Sequence, residues 1–198
     1  ESEVEESTLR AICLDNCRNS LFERLLRWER KQERSDFIGI LRKQGRMHPD
    51  IAEFPCKMFY HHEQLEVVPL KHQQESHLSY DLPAEDALDE LLKAHRVLFL
   101  PSKRCRQPHL SDKVNTEEAA LVSDLLCRIR RFYGRRFDPR KTVGVIVPYR
   151  NQIAMIRQEI ARLDIPELEQ VSIDTVERYQ GSQRDVIIYS FTIQHQYQ

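Results

Sequence analysis

Four short apolar segments, each bounded by turn-forming or charged residues, mark the predicted strands of this 198-residue chain. They span residues 96–101, 142–149, 171–175 and 185–192, and a weaker fifth candidate spans 36–44. Segments 142–149 and 185–192 are almost uninterrupted by polar residues, which is typical of strands covered on both faces. The pattern therefore predicts a mainly parallel sheet.

Amphipathic helices are predicted between these strands. Asn115 suits an N-cap, with Glu118 three residues further on, and large apolar residues then recur at helical spacing as far as Gly134. Segment 150–163 carries a stripe of isoleucine and leucine with polar residues opposite. Strands alternating with helices indicate an α/β fold.

Two segments fit this alternation less well. Residues 7–34 have a helical pattern that ends in a charged run, and residues 71–95 are polar and then acidic, with one short helix expected near Pro83. We interpret 1–35 as a helical lead-in and 71–95 as an insert within a domain that spans 36–198.

Composition places the chain among globular proteins, with 40% hydrophobic residues, 31% charged residues and a formal net charge of -1. No apolar run reaches the roughly 18 residues that a membrane-spanning helix needs, and the first residues lack a secretion signal. The cysteines lack zinc-site spacing and are expected to be reduced thiols: Cys13, Cys17, Cys56, Cys105 and Cys127. We therefore expect no membrane partner and an intracellular location, cytoplasmic or, in a eukaryote, nuclear.

Positive charge is concentrated in residues 128–141, which read RIRRFYGRRFDPRK. Such a run can bind nucleic acid. It can equally be a helix C-terminus, where the helix dipole favours cations, with a solvated face. The sequence leaves both interpretations open.

Several common catalytic motifs are absent from the sequence. It contains no G-x-x-x-x-G-K-S/T or G-x-G-x-x-G loop for phosphates, no H-E-x-x-H zinc helix and no G-x-S-x-G nucleophile elbow. No segment of this chain is therefore expected to wrap the phosphates of a nucleotide by itself.

The stretch QGRMHPDIAEFP, residues 44–55, places an arginine between a strand end and a helix start. Pro49 suits the first helical position, and Pro55 is expected to break or kink the helix. The guanidinium of Arg46 is a planar, permanently charged group suited to phosphate oxygens. It lies at the edge where open α/β sheets bind ligands, so we predict that it binds a phosphate supplied from outside this chain.

Two further polar clusters follow strand ends. In IDTVERYQGSQRDVIIYSFT, Thr175 ends a strand, and Gln180 and Gly181 offer polar contacts and close backbone approach to a ligand. In VGVIVPYRNQ, a strand stops at Pro148 and a helix follows, with Tyr149–Gln152 at its start. Such a helix start can bind anions, and an aromatic residue beside an arginine can stack bases and hold a backbone.

In this order and spacing, the clusters resemble the second RecA-like motor domain of superfamily 1 helicases, in the branch that includes the nonsense-mediated-decay helicases. The matching segments are GRMHPDIAEFPCKMFY, VNTEEAALV, TVGVIVPYRNQ and VSIDTVERYQGSQRDVIIYSFT, which together extend over about residues 36–192. The resemblance implies a RecA-like three-layer domain with a mainly parallel sheet flanked by helices.

In that family two RecA-like domains hold ATP and Mg²⁺ between them, and the first domain carries the phosphate loop and the metal-binding acids. The resemblance implies that Arg46 reaches the γ-phosphate as a catalytic residue and that Gly45, Gly181 and Gln183 lie at the nucleotide. Gly45 stands where many members have an aromatic residue that stacks on adenine, and Gln183 where many have a glutamate that contacts the ribose. We therefore expect a relaxed nucleotide preference, and no metal ligand within this chain.

The resemblance also implies a track for single-stranded DNA or RNA across the top of the sheet. The residues it assigns to nucleic acid are Thr175, Gln180, Pro148, Tyr149, Arg150 and Gln152. The other expected partner is the first RecA-like domain of the same polypeptide, from which 1–35 would lead in. Because the phosphate loop and the last family motif do not occur in the sequence, we expect a piece of a longer protein that is inactive alone.

Two other functions compete with a helicase. The departures at Gly45 and Gln183 fit a degenerate motor domain that binds nucleic acid or a protein partner without turnover. The acids Asp174, Glu177 and Asp185 could instead bind Mg²⁺ in a nuclease, although no lysine lies nearby to complete such a site.

Overall fold

The computed structural model describes residues 3–12, 14–16, 18, 20–63, 65–75, 78, 80, 82–102 and 113–192. The chain divides into two compact units, Glu1–Glu75 and Ser76–Gln198. The sequence instead suggested a boundary near residue 35, and that assignment stays a prediction.

The first unit combines helices with a two-stranded parallel sheet. Its elements are α1 (Ser7–Ala11), α2 (Leu21–Lys31), β1 (Lys43–Gln44), α3 (Pro49–Phe59), β2 (Glu66–Val67) and α4 (Lys71–Gln74). β1 pairs in parallel with β2, so the strand predicted over 36–44 is only two residues long. The helical pattern of 7–34 forms two helices, and Cys13 and Cys17 lie outside the described residues.

Helix α3 begins as predicted, with Pro49 at its first position. His48 caps it, because its Nδ1 accepts a hydrogen bond of 3.2 Å from the backbone N–H of Asp50. The helix continues beyond Pro55 to Phe59, so of the break or kink predicted there, the break does not occur. A proline inside a helix removes one N–H and bends the axis, and a bent helix can still be continuous.

The second unit contains a three-stranded parallel sheet flanked by helices. Its elements are α5 (Ala87–Ala94), α6 (Thr116–Tyr133), β3 (Val143–Val147), α7 (Arg150–Ala161), α8 (Pro166–Glu169), β4 (Ser172–Thr175), α9 (Val176–Tyr179) and β5 (Val186–Tyr189). The strand order is β4-β3-β5, and both pairings are parallel. The predicted α/β class is confirmed, and the arrangement is consistent with a RecA-like domain.

Strand β3 lies at the centre of this sheet and of the core. Val143, Val145 and Val147 have no exposed surface and pack with the apolar stripes of α6 and α7. Successive strand residues point to opposite faces, so Gly144 lies on the other face, where the ring of Tyr179 from α9 packs against it. The segment is therefore covered on both faces, as its unbroken apolar pattern predicted.

Helix α6 has the predicted boundaries. The side chain of Asn115 accepts a hydrogen bond of 3.0 Å from the backbone N–H of Glu118, and Gly134 ends the helix with a positive φ of 52°. The Glu118 carboxylate has a different role, since it accepts hydrogen bonds from the backbone N–H groups of Phe191 (2.6 Å) and Thr192 (2.8 Å). It thereby fixes the chain that leaves β5.

Two strand predictions need correction. Residues 96–101 form no strand, because no described segment pairs with them, and Phe99 is 76% exposed. Strand β5 exists, but it has no neighbour on its outer side within the described residues, and Ile187 and Tyr189 are 45% and 41% exposed. Apolar composition alone does not reveal whether a strand is central or at an edge.

The three arginines of the basic run that lie at the end of α6 form ion pairs. Arg128 and Arg131 both contact the Asp89 carboxylate of α5, which has no exposed surface. Arg130 pairs with Glu167 at 3.1 Å, a contact between partly exposed side chains. The acidic half of segment 71–95 therefore neutralises part of this charge, which favours the helix-terminus interpretation for these arginines.

Asp89 is ionised well into the acidic range. Burial alone would raise the pKa of its carboxyl group, but the backbone N–H of Glu85 and the guanidinium groups of Arg131 and Arg128 outweigh that effect and lower it to about 2. Helix α5, which begins at Ala87 rather than near Pro83, is thus attached to α6 by a buried charge cluster.

Candidate functional site

Arg46 lies in a tight turn between β1 and α3, within the first unit. The side-chain oxygen of Gln44 accepts hydrogen bonds from the backbone N–H groups of Arg46 (3.0 Å) and Met47 (2.8 Å). The amide nitrogen of Gln44 donates to the Met47 carbonyl oxygen at 2.8 Å. The Gln44 side chain therefore bonds both backbone N–H groups and a carbonyl oxygen of the turn.

The guanidinium of Arg46 is exposed, and within the described part of the chain no acidic side chain pairs with it. A guanidinium without an acidic partner is available for an external anion. Gly45 is also exposed and leaves the surface beside Arg46 without a side chain. The predicted position, after a strand and before a helix, is the observed one.

The carboxyl ends of β3 and β4 form the second candidate site, in the second unit. The two strands run in parallel with Val147 opposite Thr175. Pro148 and Tyr149 follow β3, and Arg150 is the first residue of α7 and is exposed. The structure thus brings together two segments, 148–150 and the end of β4, that are 25 or more residues apart in sequence.

Electrostatic coupling across this edge shows how close the groups are. The pKa of Glu177 is lowered by hydrogen bonds from its own backbone N–H and from Thr175, with a further contribution from the charge of Arg150. On the other side, the ammonium of Lys113 lies 5.4 Å from the centre of the Tyr149 ring, a cation–π arrangement. The edge therefore presents cations, a hydroxyl group and an aromatic ring together.

Gln152 is the most deeply buried of the residues that were predicted to contact nucleic acid. It has no exposed surface, and its amide oxygen accepts from the Asn115 backbone N–H at 2.9 Å. Its amide nitrogen donates to the Asn115 carbonyl oxygen at 2.9 Å and to the Ser190 hydroxyl at 3.3 Å. In this conformation the side chain connects the starts of α6 and α7 to the end of β5 from beneath the surface.

Gln180, Gly181 and Gln183 lie in the exposed loop between α9 and β5. Gly181 has a φ of 83°, which glycine adopts without strain, and a Cβ atom there would meet open space. The loop begins at Tyr179, whose hydroxyl group donates a 3.0 Å hydrogen bond to the Ser172 carbonyl oxygen. This buried ring fixes where the loop leaves the sheet.

We expect Gly144→Ala to destabilise the second unit by about 1–3 kcal/mol, because overpacking forces buried groups to move. A Cβ atom at Gly144 would lie 2.1 Å from the Tyr179 hydroxyl oxygen and 2.8 Å from its Cζ. The measurement is the urea unfolding midpoint of the 198-residue chain. Gly39→Ala is the matched control, since nothing lies within 4 Å of a Cβ there; equal midpoints for both variants would contradict the packing described.

The three acids of the nuclease hypothesis are not close together, which corrects that alternative. Asp174 and Glu177 lie at the carboxyl end of β4, whereas Asp185 precedes β5 at the opposite end of the sheet. Four residues of parallel strand separate the two levels, roughly 13 Å. Among the residues that the structure describes, no group of three or more His, Cys, Asp or Glu side chains could hold a metal ion.

The cysteines and the apolar character of the helices were also considered in the sequence. Cys56 and Cys127 are free thiols, and Cys105 lies outside the described residues. Of the helices in the described ranges, none combines the length and apolar character needed to cross a bilayer.

Comparison with known proteins identifies the family. The family model AAA_12, described as an AAA domain, matches residues 17–198. The chain belongs to this family of AAA domains. Both candidate sites, the Arg46 turn and the edge formed by β3 and β4, lie inside the matched region of the AAA domain.

Similar proteins carry helicase names. The chain is 27% identical over 187 residues to the DNA polymerase alpha-associated DNA helicase A of Saccharomyces cerevisiae, covering 89% of this chain and 26% of that protein. It is 26% identical over 169 residues to the helicase SEN1 of the same organism, covering 81% of this chain and 7% of that protein. It is 25% identical over 183 residues to the uncharacterized ATP-dependent helicase MJ0104 of Methanocaldococcus jannaschii, covering 89% of this chain and 25% of that protein.

These relatives support a helicase-family domain. The chain spans at most about a quarter of the length of each of the three relatives. Their names support ATP-dependent helicase activity in full-length relatives.

Sequence reasoning missed four residues that organise the two sites. Gln44 and Gln73 bond the Arg46 turn, Tyr179 fixes the loop after α9, and Glu118 binds the backbone after β5. Each acts through contacts with segments that are distant in sequence or through backbone groups. Gln44, Tyr179 and Glu118 stand in segments that the sequence singled out, but these roles were not assigned to them, whereas Gln73 stands in the segment interpreted as an insert.

Proposed function

We propose that this chain is the second RecA-like motor domain of an ATP-dependent DNA or RNA helicase or translocase of superfamily 1. The observation that carries the proposal is the exposed guanidinium of Arg46 on a hydrogen-bonded turn, without an acidic partner in the described residues. A positioned arginine of this kind stabilises charge on a transferring phosphoryl group. The helicase names of the relatives support the same function.

In this proposal the nucleotide site is shared with a first RecA-like domain of the full-length protein. Bound there with Mg²⁺, ATP supplies the phosphoryl group whose transfer releases the free energy for movement. Arg46 contacts the γ-phosphate from this side, and Gly45, Gly181 and Gln183 line the nucleotide. Because the phosphate loop is not in this sequence, the 198-residue chain alone is proposed to be inactive.

Single-stranded nucleic acid is proposed to cross the carboxyl ends of β3 and β4. Arg150 and Thr175 contact the phosphate backbone, Tyr149 and Pro148 lie against the sugars or bases, and Gln180 contacts the strand from the neighbouring loop. Gln152, which is buried, supports this surface by holding the start of α7 in place. Contacts of this kind do not select sequence, in keeping with a protein that moves along a strand.

The proposed track is tested with Arg150→Ala and Thr175→Ala in the full-length protein. Arg150→Ala is expected to weaken single-strand binding and to reduce the magnitude of the slope of log K against log salt by about 0.7, because the loss of one phosphate contact means that fewer counterions are released on binding. Thr175→Ala is expected to weaken binding with an unchanged slope, since a hydroxyl group carries no charge. Fluorescence anisotropy with labelled single strands at several salt concentrations measures both effects.

Arg162→Ala provides the control for lost charge on the same helix. Arg162 follows α7, at the opposite end from Arg150, and pairs with Glu159 at 2.6 Å. Its removal is expected to leave the salt slope unchanged. If Arg150→Ala and Arg162→Ala change affinity and slope equally, the track does not cross the start of α7.

A degenerate motor domain is the second candidate function. It is favoured by the absence of a side chain at Gly45 and by a neutral, exposed amide at Gln183. In that case the same edge binds nucleic acid, or the domain binds a protein partner, without ATP turnover. A phosphate loop with paired acids in the full-length protein would favour the ATP-dependent motor. A loop that has lost its glycines, lysine or acids would favour the degenerate domain that only binds.

A further inference from the structure

The turn that carries Arg46 is held from a second direction by helix α4. Gln73, which is 3% exposed, donates from its amide nitrogen to the carbonyl oxygens of Gln44 (3.0 Å) and Met47 (2.9 Å). These two carbonyl groups flank the Gly45–Arg46 dipeptide on either side. A single buried side chain therefore joins the beginning and the end of the turn.

A third side chain bonds the turn between these two points. His72, also in α4, forms a hydrogen bond of 3.1 Å between its Nε2 and the carbonyl oxygen of Gly45. Together with the bonds from Gln44, the backbone is fixed at Gln44, Gly45, Arg46 and Met47. The turn backbone is thus held by side-chain hydrogen bonds at four consecutive residues, whereas the Arg46 side chain itself is exposed.

The amide of Gln73 has one orientation that suits this position. Both neighbours are carbonyl oxygens, so the NH₂ group must face them, and the amide oxygen then has no hydrogen-bond partner among the described residues. An unpaired buried acceptor is unfavourable. The unpaired oxygen of Gln73 is accompanied by two hydrogen bonds from its amide nitrogen to the turn, and an apolar residue could not donate those bonds.

We infer that Gln73 is a positioning residue for Arg46, which holds the arginine turn in the geometry needed at the γ-phosphate. The inference rests on the proposed function of Arg46 and adds to it a residue that lies in the segment interpreted as an insert. Preorganised charge is effective in catalysis because its geometry is set before the reaction. A displacement of about 1 Å can lower a rate by about 100-fold.

The test uses Gln73→Met in the full-length protein, which keeps the length of the side chain and removes both donors. We expect kcat for ATP hydrolysis to fall by about 10- to 100-fold, with KM for ATP changed much less. Gln74→Met is the matched control, since Gln74 is the next residue of α4 and is exposed. Gln73→Glu is a second variant of nearly identical shape, expected to act in the same direction because its carboxylate faces two carbonyl oxygens.

A double variant separates positioning from general stability. If Gln73 acts through Arg46, Gln73→Met should have little further effect on kcat in an Arg46→Ala background. An equal loss in both backgrounds, or wild-type kcat for both Gln73 variants while Arg46→Ala is inactive, would overturn the inference. Unchanged hydrolysis in Arg46→Ala itself would instead overturn the proposed function, so the two failures are distinguishable.

Discussion

Replacing Arg46 by alanine in the full-length protein is expected to lower kcat for ATP hydrolysis by a factor on the order of 10³ or more. The arginine is exposed, unpaired within the described residues and fixed through its backbone, as a group that stabilises charge in a transition state requires. Because the effect is expected mainly in the transition state, KM for ATP should change much less than kcat. Steady-state phosphate release measures both constants.

Arg42→Ala is the matched control for Arg46→Ala. Arg42 is another exposed arginine, four residues earlier and just before β1. Its replacement should leave kcat unchanged. Comparable losses in the two variants, or no loss in Arg46→Ala, would contradict the role proposed for the arginine turn.

Replacing Asp89 by alanine is expected to destabilise the second unit by about 2–4 kcal/mol, between the loss of a charged hydrogen bond and the breaking of a buried ion pair. The change removes the shared partner of Arg128 and Arg131 and weakens the attachment of α5 to α6. Urea unfolding of the 198-residue chain measures the loss. Asp124→Ala, which removes a more exposed partner of Arg128, is the control and should cost less than about 1 kcal/mol.

The same carboxylate predicts a pH dependence. The pKa of Asp89 is about 2 in the folded chain and about 3.9 when unfolded, so its stabilising contribution is present above pH 4. It is lost as the pH falls from about 4 towards 2. The stability difference between the wild-type chain and Asp89→Ala should therefore shrink over that interval, and a constant difference would contradict a lowered pKa.

The elements that the sequence predicted correctly are those determined mainly by their own local sequence. Helix α6 has its N-cap at Asn115 and ends at Gly134, and β3 is buried on both faces, because capping chemistry and apolar periodicity are properties of the segment itself. The sequence also predicted the location of Arg46 between a strand and a helix, because a proline marks the start of α3.

Predictions failed where the outcome depends on a partner elsewhere in the chain. Residues 96–101 have the composition of a strand, but a strand also needs a neighbour to bond its backbone, and none of the described segments provides it. Asp185 was grouped with Asp174 by proximity in sequence, although the direction of parallel strands places them at opposite ends of the sheet.

Buried polar residues were the hardest to predict. Gln152 and Gln73 look like ordinary surface amides in the sequence, and both are almost completely buried with hydrogen bonds to distant backbone groups. A glutamine can bond a carbonyl oxygen or an N–H group wherever the fold brings one close, so its role follows from tertiary contacts rather than from its neighbours in sequence.

The measurement that tests the account most directly is ATP hydrolysis by the full-length wild-type protein, with and without single-stranded DNA or RNA, beside the 198-residue chain alone. The account predicts hydrolysis that single strands stimulate in the full-length protein, and none from the chain alone. Full-length protein that binds single strands but shows no stimulated hydrolysis would contradict the motor function and favour the degenerate binding module.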